Sequence, residues 1–463
     1  MKILTISIIL SFISSQQLIT EFLVIEGDTL DNFVYQIPEN MDSPAPLLVV
    51  FHQWGGSAMS TVGTEFDEQS YSRGWYFLSP WGGSSNNYNH QQAQYFWEQE
   101  ILWMMDRYNI DSKRIYMVGG SMGGASGKIY INNHLDPTQP MVAAAASASG
   151  ILDCERRYYE MDGNNSMTEW FGGSPEEVPF QYHRNSAVFF EDSNQSMHFN
   201  LINTPLYLDF GATEPHRDHA EDLYNLLLGL HENIWIETNP SNGHGFSVMD
   251  ENHVCDWFSQ FELVTNLDRV WVHLDEPGRA YWVEVLNMEN QIEFIKLSIE
   301  RQLEDPAEIG INNFIRINFD FYENSDSLLL HIIDNRVDDF QINCNDELDN
   351  INIGITGSKV DLIEYYEIST PEFSQQFILN EEVIWINPEH LSCGDFNYNY
   401  SIYYTINDIN FDLFWDLTDI LLTLNHIIGN ELLSEHQQLY ADINEDYFIN
   451  VIDILYMVNL VLE

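Results

Sequence analysis

Between about residues 45 and 264, short apolar runs rich in β-branched residues alternate with longer stretches of mixed apolar and polar character. Runs of four to eight apolar residues bounded by turn-forming residues read as strands buried on both faces, and the longer stretches read as helices. Strands are expected over 47–52, 75–80, 114–119, 141–146, 206–210 and 233–238, and helices over 94–108, 123–133, 217–231 and 251–263. Such alternation predicts an α/β, doubly wound, mostly parallel sheet with helices on both faces. Residues 154–203 break the pattern, being rich in Asn, Ser, Gly and aromatics. Their length suits a cap or a substrate-side insertion better than an ordinary connection.

Past residue 266 the alternation gives way to period-two runs such as Val270-Trp271-Val272-His273-Leu274, which predict a β-rich, sandwich-like module up to about residue 392. The last segment, 393–463, repeats itself: Asp408-Ile409-Asn410-Phe411-Asp412 returns 34 residues later as Asp442-Ile443-Asn444-Glu445-Asp446, and each copy runs into an apolar, helix-like stretch. A period of this size signals a duplicated supersecondary unit. At the other end, Lys2 precedes the apolar run 6–13, and Ser14 and Ser15 close it. That pattern reads as a secretory signal peptide over residues 1–15 and places the protein outside the cell or at its surface. The apolar run falls short of the roughly 18 residues a membrane-spanning helix needs, and no later stretch reaches that length.

Seventeen basic residues stand against 72 acidic ones, a formal net charge of −55. Coulomb repulsion on that scale argues against nucleic acid and anionic membranes as partners. It also favours bound cations or a saline setting, which offset the self-repulsion. With export, the even count of four cysteines (Cys154, Cys255, Cys344, Cys393) allows disulfides, and their grouping along the chain favours Cys154 with Cys255 and Cys344 with Cys393.

The chemistry centres on the run Arg114-Ile115-Tyr116-Met117-Val118-Gly119-Gly120-Ser121-Met122-Gly123-Gly124, a strand pattern ending in G-x-S-x-G with a small-residue helix start beyond it. In that context the glycines permit a tight strand-to-helix turn that holds the Ser121 hydroxyl above the sheet. A serine needs a base to take its proton, and the base needs a carboxylate to orient it. Glu214 follows the strand 206–210, and His244, flanked by glycines, follows the next strand. The order Ser, acid, His selects one of the three common triad orders. Asp218, in the same loop or early helix as Glu214, is the rival acid. For the oxyanion, Met122 N–H supplies one donor and Trp54 N–H, in His52-Gln53-Trp54-Gly55-Gly56 after the first expected strand, the second.

On these four segments, residues 45–264, within a catalytic domain expected over 20–264, resemble α/β-hydrolases of the polyhydroxybutyrate depolymerase, feruloyl esterase and prolyl oligopeptidase-like group. The resemblance implies a serine hydrolase working through an acyl-enzyme without a catalytic cofactor, on an ester or, alternatively, on a proline-containing peptide. Gln53 stands where that group usually has glycine, and Glu214 where it usually has Asp. A scaffold component with a silent hydrolase domain is the reading from a different class. In the terminal repeats, Asp408, Asn410, Asp412, Asp416 and Asp419, then Asp442, Asn444, Asp446, Asn450 and Asp453, fall at positions 1, 3, 5, 9 and 12 of a twelve-residue calcium loop. Two such loops, each followed by a helix, resemble a dockerin domain, which implies structural Ca2+ and a cohesin-type partner. It also implies an ester linked to polysaccharide, with acetyl or feruloyl the acyl group. Leu413 and Tyr447 replace the glycine usual at loop position 6.

Overall fold

The computed structural model describes residues 17–267 apart from 40–43, 164, 215, 241 and 242, and beyond them 269–287, 292, 294–302, 313–319, 327–332, 337–344, 352–357, 363–370, 373–378, 384–386, 397–404, 409, 417–430, 432–433, 437–438, 441, 443 and 448–462. The signal-peptide expectation lies outside the described residues. So do seven of the ten calcium-loop candidates, namely Asp408, Asn410, Asp412, Asp416, Asp442, Asn444 and Asp446. The chain divides into two compact units, one formed by residues up to 132, 140–191 and 201–263, the other by 133–139, 192–200 and the residues from 264 onward.

The first unit is built on an eight-stranded sheet of order β1-β2-β4-β3-β5-β6-β7-β8. Its strands are β1 Leu18–Ile25, β2 Asp28–Gln36, β3 Ala45–Phe51, β4 Tyr76–Pro80, β5 Ile110–Gly120, β6 Ala144–Ala148, β7 Leu206–Gly211 and β8 Ile234–Asn239. β3 to β8 run parallel, whereas β1 and β2 form an antiparallel hairpin whose second strand pairs antiparallel with β4. The hairpin turns on Glu26 and Gly27 at φ of 54° and 96°, the two left-handed positions that match a twisted two-residue turn.

Side chains of β3 alternate between two cores. Leu47, Val49 and Phe51 join one, with Trp97, Ile101 and Met104 of α2 (Gln91–Arg107), Ile129 of α3 (Met122–Asn133) and Leu223 of α7 (Arg217–Leu227). Leu48 and Val50 join the other, with Phe66 of α1 (Phe66–Arg73) and Val254 and Phe258 of α8 (Glu251–Phe258). All seven β3 residues are buried, as an unbroken apolar run between helix-covered faces requires. α7 stops short of the expected residue 231 because Leu228 is extended and Gly229 takes φ +89°. The 154–203 segment holds three short α-helices, α4 (Cys154–Glu160), α5 (Met167–Phe171) and α6 (Pro179–Arg184), and two 3-10 turns, Ser193–Gln195 and His198–Leu201.

β3 and β5 are neighbours, with β4 on the far side of β3. The connection from β3 runs to β4 and the next one, from β4, returns past β3 to β5, so the switch point lies at the carboxyl ends of β3 and β5, where open α/β sheets place their ligands.

In the second unit the described strands form one sheet of seven and one of five, largely antiparallel. Parallel pairs join Asn313–Phe319 with Val337–Cys344 and Ser327–Ile332 with Asn352–Gly357. Among its described residues are the helices α9 (Leu417–Ile427) and α10 (Val451–Leu462). Asp419 and Asp453 sit in their first turns at matching repeat positions, fully buried, and accept hydrogen bonds from Ile409 N–H and Asn450 N–H, each at 2.8 Å.

Candidate active site

Ser121 directly follows β5 and takes φ +54°, a left-handed conformation that costs a non-glycine residue about 1–2 kcal/mol. Three backbone hydrogen bonds hold it there: Ser121 N–H donates to Ala148 O at 2.8 Å, and Ser121 O accepts from Gly124 N–H at 2.9 Å and Ile151 N–H at 3.2 Å. The flanking glycines are dictated by contact. A Cβ on Gly119 would stand 2.1 Å from Gly123 O, and one on Gly123 would stand 2.5 Å from His52 O.

His244 Nε2 lies 2.9 Å from Ser121 Oγ, and His244 Nδ1 lies 2.6 Å from Glu214 Oε2. An ionised carboxylate only accepts, so Nδ1 carries the proton and Nε2 presents its lone pair to the serine hydroxyl. The Glu214 side chain is 1% exposed, whereas that of His244 is 40% exposed: the orienting charge is enclosed and the base faces outward. The second Glu214 oxygen is enclosed and has no hydrogen-bond partner among the described residues. Asp218, the rival acid, is 69% exposed and lies 4.0 Å from Arg156. It lies in the first turn of α7, and the imidazole is held by Glu214 instead.

Of the expected oxyanion donors, Met122 opens α3, so its N–H has no acceptor within the helix. In the loop after β3, Gly55 N–H and Gly56 N–H are engaged by Ser85 O at 2.7 Å and Gln53 O at 2.9 Å. Trp54 N–H has no acceptor among the described residues.

Three residues that the sequence does not signal support this geometry. Ser149, buried and at φ +55°, accepts the Gly245 N–H at 3.0 Å and donates its own N–H to Asp209 O at 2.8 Å, tying the histidine loop to the ends of β6 and β7. Asn89 donates to Met122 O at 3.3 Å and accepts from the Ser126 hydroxyl, fixing the start of α3. His216 places its ring 5.1 Å from that of His244. Burial drives His216 down to about 3, so it stays neutral beside the working imidazole.

Glu160, His216 and His219 present ligand-type atoms within 4.8 Å of one another. The arrangement does not suit a metal. His219 Nδ1 accepts Leu152 N–H at 3.1 Å and Asp153 N–H at 3.3 Å, so Nε2 bears the proton and faces Glu160 Oε1 at 3.3 Å. Glu160 also meets Arg156 at 3.5 Å and Arg157 at 3.1 Å. The cluster is a hydrogen-bonded brace between α4 and α7.

The disulfide expected between Cys154 and Cys255 is absent. Both thiols are free and buried, and burial pushes each up to about 12. Cys154 packs with Tyr88, Met122, Ile151, Met167, Phe171 and Tyr182, so the 154–203 segment seats itself against the residue that follows the nucleophile. Cys393 of the second expected pair lies outside the described residues.

The sheet thus carries a serine on a left-handed elbow after its fifth strand, an acid after the seventh and a histidine after the eighth, in the order expected from the sequence. No family model matches the chain, and no curated protein matches it. Among solved structures it is similar to S-formylglutathione hydrolase from Staphylococcus aureus, with 14% identity over 53% of this chain and 99% of that chain and a TM-score of 0.42. It is also similar to a ferulic acid esterase, with 14% identity over 53% of this chain and 96% of that chain and a TM-score of 0.38. A third is the acylaminoacyl peptidase of Pyrococcus horikoshii, with 17% identity over 53% of this chain and 40% of that chain and a TM-score of 0.40.

Proposed function

We propose that the protein is a serine hydrolase that cleaves esters through an acyl-enzyme. The observation that carries this reading is the unbroken chain from Glu214 through His244 to Ser121, at 2.6 and 2.9 Å. In the proposed cycle, His244 Nε2 takes the Ser121 proton as Oγ attacks the acyl carbon. Glu214 stabilises the imidazolium while Met122 and Trp54 N–H groups receive the oxyanion. Collapse of the tetrahedral intermediate breaks the bond to the leaving oxygen, which takes the proton back from Nε2. Water, activated by the same imidazole, then releases the acid and restores Ser121.

The finer reading is an exported esterase acting on acetyl or feruloyl groups linked to polysaccharide, held to a cohesin-type partner by its C-terminal repeats. Calcium would serve there as a structural ion, with no part in the chemistry. The buried Asp419 and Asp453 carboxylates, at equivalent positions in the two repeats, fit the oxygen donor set of such an ion.

The test compares 4-nitrophenyl acetate, methyl ferulate and a proline-containing peptide anilide as substrates of the wild type and Ser121→Ala, with fluorophosphonate labelling alongside. Ester turnover and labelling that both vanish in the mutant support the reading. Turnover of the anilide alone moves the protein to the peptidases, and an unlabelled Ser121 in folded protein makes it a binding component.

A further inference from the structure

Ester cleavage at Ser121 leaves the alcohol half of the substrate to be recognised, and one uncommitted polar side chain stands where that half must sit. Gln53 extends from the loop after β3 across the two glycines that flank the reacting groups. A Cβ on Gly120 would stand 3.1 Å from Gln53 Cγ, and a Cβ on Gly245 would stand 2.0 Å from its Oε1 and 3.1 Å from its Nε2. The carboxamide thus lies against the residue that follows His244. No hydrogen bond from the described residues reaches it, and the side chain is half-buried rather than enclosed. An amide with two donors and two acceptor sites, open to solvent and unpaired beside the triad, has its full bonding capacity available to a ligand.

The position fixes which half of the substrate it meets. His244 Nε2 returns its proton to the leaving oxygen, so the alcohol lies on the imidazole side of the site, where the Gln53 carboxamide rests. The next residue, Trp54, is 58% exposed, a large apolar face on a loop pinned at Gly55 and Gly56. An amide bonds a hydroxyl as donor and acceptor but does not neutralise a charge, and a net charge of −55 disfavours an anionic alcohol. A ring with an apolar C–H face and a rim of hydroxyls satisfies both side chains.

We propose that Gln53 and the Trp54 indole form the alcohol-side subsite, and that the ester hydrolysed is carried on a hydroxyl of a neutral sugar. The assignment rests on Ser121 acting as the ester-cleaving nucleophile.

The experiment measures kcat/KM for a mono-O-acetylated methyl β-xylopyranoside and for ethyl acetate, and takes their ratio in the wild type, Gln53→Leu and Gln53→Ala. Loss of one net hydrogen bond, about 1 kcal/mol, corresponds to roughly a fivefold change, so the ratio is expected to fall about fivefold to tenfold in both variants. An unchanged ratio, whatever happens to the separate rates, overturns the subsite. A second readout needs no ester turnover: methyl β-xylopyranoside is expected to slow fluorophosphonate labelling of Ser121 in the wild type and to lose that effect in Gln53→Leu. Equal protection in both proteins overturns the proposal. Failure of the hydrolase reading itself shows separately, as wild-type ester turnover no greater than that of Ser121→Ala.

Discussion

Glu214 Oε2 sits 2.6 Å from His244 Nδ1 on a side chain that is 1% exposed, while its other oxygen has no partner among the described residues. A single, enclosed hydrogen bond therefore sets both the tautomer and the tilt of the imidazole. Glu214→Gln can satisfy Nδ1 only by accepting through its amide oxygen and no longer stabilises an imidazolium. Its kcat is expected to fall about 10³- to 10⁴-fold with little change in KM. Glu214→Asp keeps the charge but shortens the reach by one methylene, so it should retain more activity than the amide. Steady-state kinetics on 4-nitrophenyl acetate separates the two, and equal activities would remove the charge from the argument.

Ser149 holds the histidine loop through Gly245 N–H at 3.0 Å. Removing its hydroxyl leaves that buried N–H unpaired, at a cost of about 1–3 kcal/mol. Ser149→Ala is expected to lower kcat about tenfold and to slow fluorophosphonate labelling in the same proportion, with KM largely kept. A loss confined to thermal stability, with labelling unchanged, would make the residue merely structural.

Gly245 takes φ +61° and lies against Gln53. Gly245→Ala suffers both a backbone penalty of about 1–2 kcal/mol and a collision with the carboxamide. Pairing it with Gln53→Gly removes the collision alone. A double-mutant cycle on unfolding free energy is therefore expected to give a favourable coupling, with the double variant still below the wild type. Additive effects would mean that the two side chains do not meet.

The pair Asp31 and Glu100 predicts a pH dependence. Both are buried, and Gly82 N–H donates to Asp31 at 2.7 Å while both Glu100 oxygens lack a partner among the described residues. Burial and then the Asp31 charge hold the Glu100 carboxyl well above the usual range. The folded state thus keeps a proton that the unfolded chain gives up near the ordinary glutamate value, and stability falls as pH rises through and beyond that value. Glu100→Gln removes the penalty. Its melting temperature should equal that of the wild type near pH 4 and exceed it toward pH 8, by about 2–4 °C per kcal/mol relieved. A constant difference across pH, followed by calorimetry, would exclude this cause.

The parts of the site that act through local chain geometry were legible in the sequence. Ser121 announces itself by a strand and closely spaced glycines, and Glu214 and His244 by their places after successive strands. Ser149 and Gln53 were not, because their roles exist only where separate loops meet. The β1–β2 hairpin escaped because Glu26-Gly27 is a weak turn signal and β1 lacks strict alternation. β6, expected over 141–146, spans Ala144–Ala148, a run of alanines and one serine with little strand propensity. Its place is set by packing: a Cβ on Gly127 of α3 would stand 3.4 Å from Ala145 Cβ, an approach only small residues allow. The expected pairing of Cys154 with Cys255 failed because closeness along a chain says nothing of distance in space.

Those two thiols have a bearing on how the protein is made. Each is sealed in a separate cluster, Cys154 under α5 and α6, and Cys255, on α8, with Phe66 of α1. The shape of the catalytic unit thus owes nothing to oxidation, and a compartment rich in glutathione and an oxidising one should yield the same working fold.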